Sequence, residues 1–112
     1  MRKVTASLVV AAMLGPAVTP AVAATKNVTV GDNFFVRASG VPTVTVNKGA
    51  KVRWVWRGKS AHNVKVAKGP AKFGSATQSS GTFVKRVKKT GTYRIICTVH
   101  GASDQSMKLV VR

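Results

Sequence analysis

Short stretches of alternating apolar and polar residues run through the chain from about residue 24 onward. Val28 and Val30 alternate with polar neighbours, and Gly31-Asp32-Asn33 then supplies a turn. Thr43-Val44-Thr45-Val46 repeats the pattern and closes at Asn47-Lys48-Gly49. Val52, Trp54 and Trp56 form a third alternating set, followed by Arg57-Gly58-Lys59-Ser60. A fourth set opens at His62 and continues through Val64 and Val66. Residues 67–81 are rich in Gly, Ser, Lys and Thr and read as a long connection with a short strand at its end. Thr82 to Val87 is a further strand, Tyr93, Ile95 and Cys97 alternate along the next, and Met107, Leu109 and Val111 along the last. Period-two patterning punctuated by turn residues, with no useful helical period, predicts an all-β protein: an antiparallel sandwich of about seven or eight strands.

Residues 1–23 break this pattern. Arg2 and Lys3 precede an uncharged apolar run from Val4 to about Leu14, Gly15-Pro16 ends it, and Ala21-Val22-Ala23 offers a small-x-small cleavage site. That order predicts an export signal removed after Ala23. The apolar run is too short to span a bilayer comfortably, so no transmembrane span is expected after cleavage. Residues 24–112 then form one small domain, located in the periplasm, the cell envelope or outside the cell. A domain of this size is marginal without a staple. Exported domains usually use disulfides, but the chain has a single cysteine. A bound metal is the remaining common staple.

Charge narrows the partners. Lysine and arginine total 19 against two acids, Asp32 and Asp104. Such a chain is drawn to anionic surfaces. Export makes nucleic acid an unsuitable partner, which leaves acidic redox proteins and an anionic cell surface. A monomer is expected.

The chemistry-bearing residues are few. Cys97 and His100 bracket a Cys-x-x-His, and His62 is the only other histidine. Alternation turns Cys97 to the side of Tyr93 and Ile95, and His62 to the side of Val64 and Val66. Both should face the core. A thiolate there needs a cation beside it. One thiolate and two imidazoles are the donor set of a mononuclear electron-transfer copper site. Structural zinc usually takes four Cys or His ligands, and three are present. A Cys-His nucleophile needs a group to orient the base and a substrate cleft, and neither is evident, so no enzymatic activity is expected.

Several longer motifs share a pattern. Val46-Asn47-Lys48-Gly49-Ala50-Lys51-Val52-Arg53-Trp54 has the form V-x-x-G-x-x-V-x-W, and His62-Asn63-Val64 follows. Phe73-x-Ser75, Gly81-Thr82-Phe83 and Gly91-Thr92-Tyr93-x-x-x-Cys97 lead to Cys97-x-x-His100. In these motifs the sequence resembles the plastocyanin-like cupredoxins, the small blue copper proteins, over nearly all of residues 24–112. The resemblance implies a Greek-key sandwich with one type 1 copper ion at one end. It implies His62, Cys97 and His100 as equatorial ligands, and Asn63 as a residue that pins the ligand loops. It also implies a one-electron carrier between redox partners, with copper storage, delivery or tolerance as the alternative.

The fourth ligand departs from the family pattern. The methionine usual in these proteins three to five residues after the loop histidine is replaced by Ser103, Asp104 and Gln105. Aligning Gln105-Ser106-Met107-Lys108-Leu109-Val110-Val111 with the family's M-x-G-K-V-x-V places Gln105 at the methionine position. Glutamine is an accepted axial ligand in such sites. Met107, on the same side as Leu109 and Val111, is the alternative, and Asp104 a third.

Overall fold

The computed structural model describes residues 24–112, so the expected export signal lies outside the described residues. Eight strands are present among them: β1 Thr25–Gly31, β2 Phe34–Phe35, β3 Thr43–Val46, β4 Lys51–Trp56, β5 Lys65–Lys68, β6 Thr82–Arg86, β7 Gly91–Ile96 and β8 Ser106–Val111. They form two four-stranded sheets, ordered β2-β1-β4-β6 and β3-β8-β7-β5. Successive strands cross repeatedly from one sheet to the other. Hence β1 runs parallel to β4, and β3 parallel to β8, while the other neighbours are antiparallel. This is the all-β sandwich that the alternation predicts, with the Greek-key-like order that the family resemblance implies. The two parallel pairings correct the expectation of a wholly antiparallel sandwich and follow from the crossings between sheets.

The inward positions fill the space between the sheets. Val28, Val30, Val52 and Trp54 from one sheet meet Val44, Val46, Val66, Tyr93, Ile95, Met107, Leu109 and Val111 from the other, all buried. Each large side chain removed from water contributes roughly 1.5–3 kcal/mol. An aromatic group of Trp54, Phe73, Phe83 and Tyr93 packs at centroid separations of 5.6 to 6.3 Å. Phe73 comes from the long connection, which is thereby held against the core.

Two departures from the expected pattern matter for the site. The strand expected to open at His62 begins at Lys65. His62, Asn63 and Val64 are all buried instead of alternating, because this stretch is wedged between the β4 end and the long connection. His62 pairs there with Gln78 as an isolated bridge. Phe34–Phe35 forms a two-residue strand against Val30 and Gly31, too short to show as alternation. Both features lie at the end of the sandwich where β7 runs out into Cys97.

Candidate metal centre

Strand β7 delivers Cys97 to the sandwich end, and the chain returns at Gln105 into β8. The pairing of Ile96 with Ser106 is the last rung between these strands. Just beyond it, the Cys97 N–H donates to the Gln105 carbonyl at 3.1 Å. The loop between them is therefore closed at its base, with Cys97 and Gln105 facing one another across it. Inside the loop the Gly101 N–H donates to the Cys97 carbonyl at 2.9 Å. Gly101 has φ +84°, a conformation that glycine reaches without steric cost. The turn it allows folds His100 back over Cys97.

His62 arrives from the other side. Its backbone exchanges hydrogen bonds with Gln78, at 2.9 and 3.0 Å, and its carbonyl accepts from the Trp56 indole at 3.2 Å. Asn63 clips this segment to the cysteine loop. Its amide donates to Thr98 Oγ1 at 2.7 Å, and its Oδ1 accepts the Thr98 N–H at 2.8 Å. This is the loop-pinning contact expected of Asn63.

Four donor atoms meet between these segments. His62 Nδ1 lies 3.2 Å from His100 Nδ1, and Cys97 Sγ lies 3.6 Å from His100 Nδ1. The ligand atoms of His62, Cys97 and His100 all fall within 4.8 Å of one another. Gln105 Oε1 is 2.9 Å from His62 Nδ1. The Gln105 amide has a defined direction, because Nε2 donates to the carbonyls of Gly31 and Phe34 at 3.2 and 2.9 Å. His62, Cys97 and Gln105 are fully buried, whereas His100 is half-buried. Among the sequence-derived alternatives for the fourth donor, Asp104 is exposed on the loop. Met107 sits in the core, paired with Ile95.

The neighbours of each His62 nitrogen assign its hydrogen-bonding role. His62 Nε2 lies 3.0 Å from Asp32 Oδ1. A carboxylate can only accept, so the Nε2 proton belongs in that contact, and Nδ1 of the neutral ring carries a lone pair. That lone pair faces the Gln105 oxygen, a second imidazole and a sulfur. Sulfur, imidazole nitrogens and an amide oxygen gathered this closely are placed as the ligands of a single metal ion would be. Asp32 also accepts the N–H groups of Lys59 and Ser60, at 3.0 and 2.9 Å. Its carboxyl is held well below the usual carboxylate range, first by the His62 hydrogen bond and then by those of Ser60 and Lys59, against a smaller opposing effect of burial. Sequence reasoning missed this residue and took it as part of a turn. The available signal was its rarity: it is one of two acids in a chain of net charge +17.

Residues 24–112 match the family model of copper-binding proteins, plastocyanin/azurin family. The chain belongs to that family. Among similar solved structures, a glutamine-for-methionine variant of amicyanin in its Cu(I) form is 24% identical, over 79% of this chain and 82% of that one, with a TM-score of 0.65. An alanine-for-methionine variant of amicyanin, also Cu(I), is 22% identical over 83% and 87%, with a TM-score of 0.66. A copper-containing nitrite reductase from Thermus scotoductus is 17% identical over 90% of this chain and 25% of that one, with a TM-score of 0.62. At such identities the likeness speaks for the fold alone. A search of curated proteins gave no match. For this plastocyanin/azurin-family chain the donor chemistry is the local test. A buried sulfur and two imidazole nitrogens suit copper, and no described helix is long and apolar enough to cross a membrane.

Proposed function

We propose that this chain is an exported type 1 copper protein that carries one electron at a time between redox partners. The observation that carries the reading is the convergence of Cys97 Sγ, both histidine Nδ1 atoms and Gln105 Oε1 at the closed end of the sandwich. Copper bound there supplies a one-electron couple between Cu(II) and Cu(I). The chain's own part is to hold the donors still. His62 is fixed through its backbone and its Nε2, Gln105 through its amide, and the cysteine loop through Asn63 and its closed base. Rigid donors reduce the rearrangement that accompanies each change of charge.

The decisive experiment is optical. Residues 24–112 with added Cu(II) are expected to show an intense visible thiolate-to-copper absorption, and the Cys97→Ser variant none. A colourless wild type, or a variant that colours equally, would sink the reading. Storage or delivery of copper uses the same donors. Burial of three of the four favours retention, so repeated redox cycling without transfer of Cu(I) to an acceptor is expected.

His100 is the donor nearest solvent, and its neighbour Val99 is 52% exposed. This edge is the proposed path for electrons. Steering toward it is ascribed to the cationic body. Lys68, Arg94 and Lys108 stand opposite one another across β5, β7 and β8, all exposed. Like charges directly opposite on neighbouring strands repel, and an acidic partner would relieve the repulsion. Electron transfer to an acidic redox protein should therefore slow as salt rises, because screening shortens the reach of exposed charges to about 10 Å at 0.1 M. A rate indifferent to salt would remove the steering and leave the copper site intact.

A further inference from the structure

We propose that Asp32 is a positioning residue for the metal centre: it fixes His62 in the tautomer whose Nδ1 is free and strengthens that nitrogen as a donor to copper. The inference rests on reading His62 as a ligand. Its grounds are geometric. Asp32 reaches His62 from the turn between β1 and β2, 30 residues away in sequence. Its Oδ1 takes the His62 Nε2–H, the Lys59 N–H and the Ser60 N–H together, and Oδ2 takes a second contact from the Lys59 N–H at 3.1 Å. The carboxylate is thus anchored by the β4–β5 connection at the same time as it holds the ring. Gly58 makes the approach possible, because a Cβ there would collide with Asp32 Oδ1 and with the Asp32 backbone N.

The charge balance gives this contact its weight. Cationic side chains dominate the molecule, and their summed field disfavours the more highly charged Cu(II). Asp32 is the acid placed against a donor ring; Asp104, the other acid, is exposed on the loop. A carboxylate accepting from the remote nitrogen of an imidazole makes the near nitrogen more basic, and losing such a partner typically costs 10–100-fold in metal affinity. The negative charge also favours the oxidised metal, so Asp32 should lower the reduction potential.

Asp32→Asn is the informative variant. The hydrogen bonds from His62, Lys59 and Ser60 all have Oδ1 as an acceptor, which asparagine retains, so the substitution removes the charge while leaving the acceptor. Expected for the copper-loaded Asp32→Asn chain are a raised reduction potential and a Cu(II) affinity lowered by about 10-fold or more, with the visible absorption kept. Asp104→Asn makes the same change of net charge nearby and should shift both quantities less. Gly58→Ala, which displaces Asp32 without altering charge, should also weaken Cu(II) binding. Equal shifts in Asp32→Asn and Asp104→Asn would reduce Asp32 to one charge among others and overturn the proposal. Imidazole ¹⁵N–¹H correlations of the metal-free wild type decide the tautomer separately. A neutral His62 carrying its proton on Nε2 is expected, and one carrying it on Nδ1 overturns the proposal whatever copper does. A wild type with that Nε2 proton but no copper absorption would instead count against the reading of the site.

Discussion

Replacing Gln105 with methionine should raise the reduction potential of the copper-loaded protein and, in the same variant, destabilise the metal-free fold. The two effects come from opposite ends of one amide. Oε1 points at His62 Nδ1 at 2.9 Å. A carbonyl oxygen is a harder donor than a thioether sulfur and favours Cu(II) more, so sulfur in its place shifts the balance toward Cu(I). Nε2 meanwhile ties the β1–β2 hairpin to the cysteine loop through the carbonyls of Gly31 and Phe34. Methionine cannot donate to either. A buried acceptor left without its partner costs about 1–3 kcal/mol, and a small domain has only roughly 5–15 kcal/mol in hand. Voltammetry of the loaded protein and denaturant midpoints of the metal-free one separate the effects. Gln105→Leu sharpens the test: it should lose similar stability without supplying sulfur. An unchanged potential and spectrum in Gln105→Met would remove Gln105 from the proposed ligand set.

The same residue shows what the sequence made legible and what it did not. Gln105 was readable as a candidate through the family register, which sets it where methionine is usual, and the alternation of Met107, Leu109 and Val111 fixes the phase of β8. That alternation also points Met107 into the core, where it lies opposite Ile95. The direction of the Gln105 amide was not readable. It depends on Phe34, in a two-residue strand without a detectable period, and on Gly31, 74 residues away in sequence. His62 was legible as an inward residue but not as part of a wedge. Alternation cannot describe a stretch buried on successive residues, and the partners that hold it, Gln78 and Trp56, belong to other segments. Asp32 was the least accessible for the same reason. Periodicity reports which face a residue takes, whereas the contact between Asp32 and His62 is created by how the β1–β2 turn and the β4–β5 connection meet at one end of the sandwich.

Copper loading should raise the thermal midpoint of wild type by tens of degrees and that of Cys97→Ser far less. The donors come from separate parts of the chain: His62 before β5, Cys97 and His100 on the β7–β8 loop, and Gln105 at its return. The lone cysteine leaves no internal disulfide to join them. A ligand that binds the folded state stabilises it by about 4 kcal/mol when its free concentration is a thousand times the dissociation constant. For a domain of this size each kcal/mol moves the midpoint by roughly 4–8 °C, which gives a rise on the order of 15–30 °C. Calorimetry of metal-free and copper-loaded wild type, beside Cys97→Ser treated alike, measures the difference. Midpoints that coincide for the two wild-type forms would mean that the donors do not act together on one ion. Equal rises in wild type and Cys97→Ser would place the stabilising copper somewhere other than this cluster.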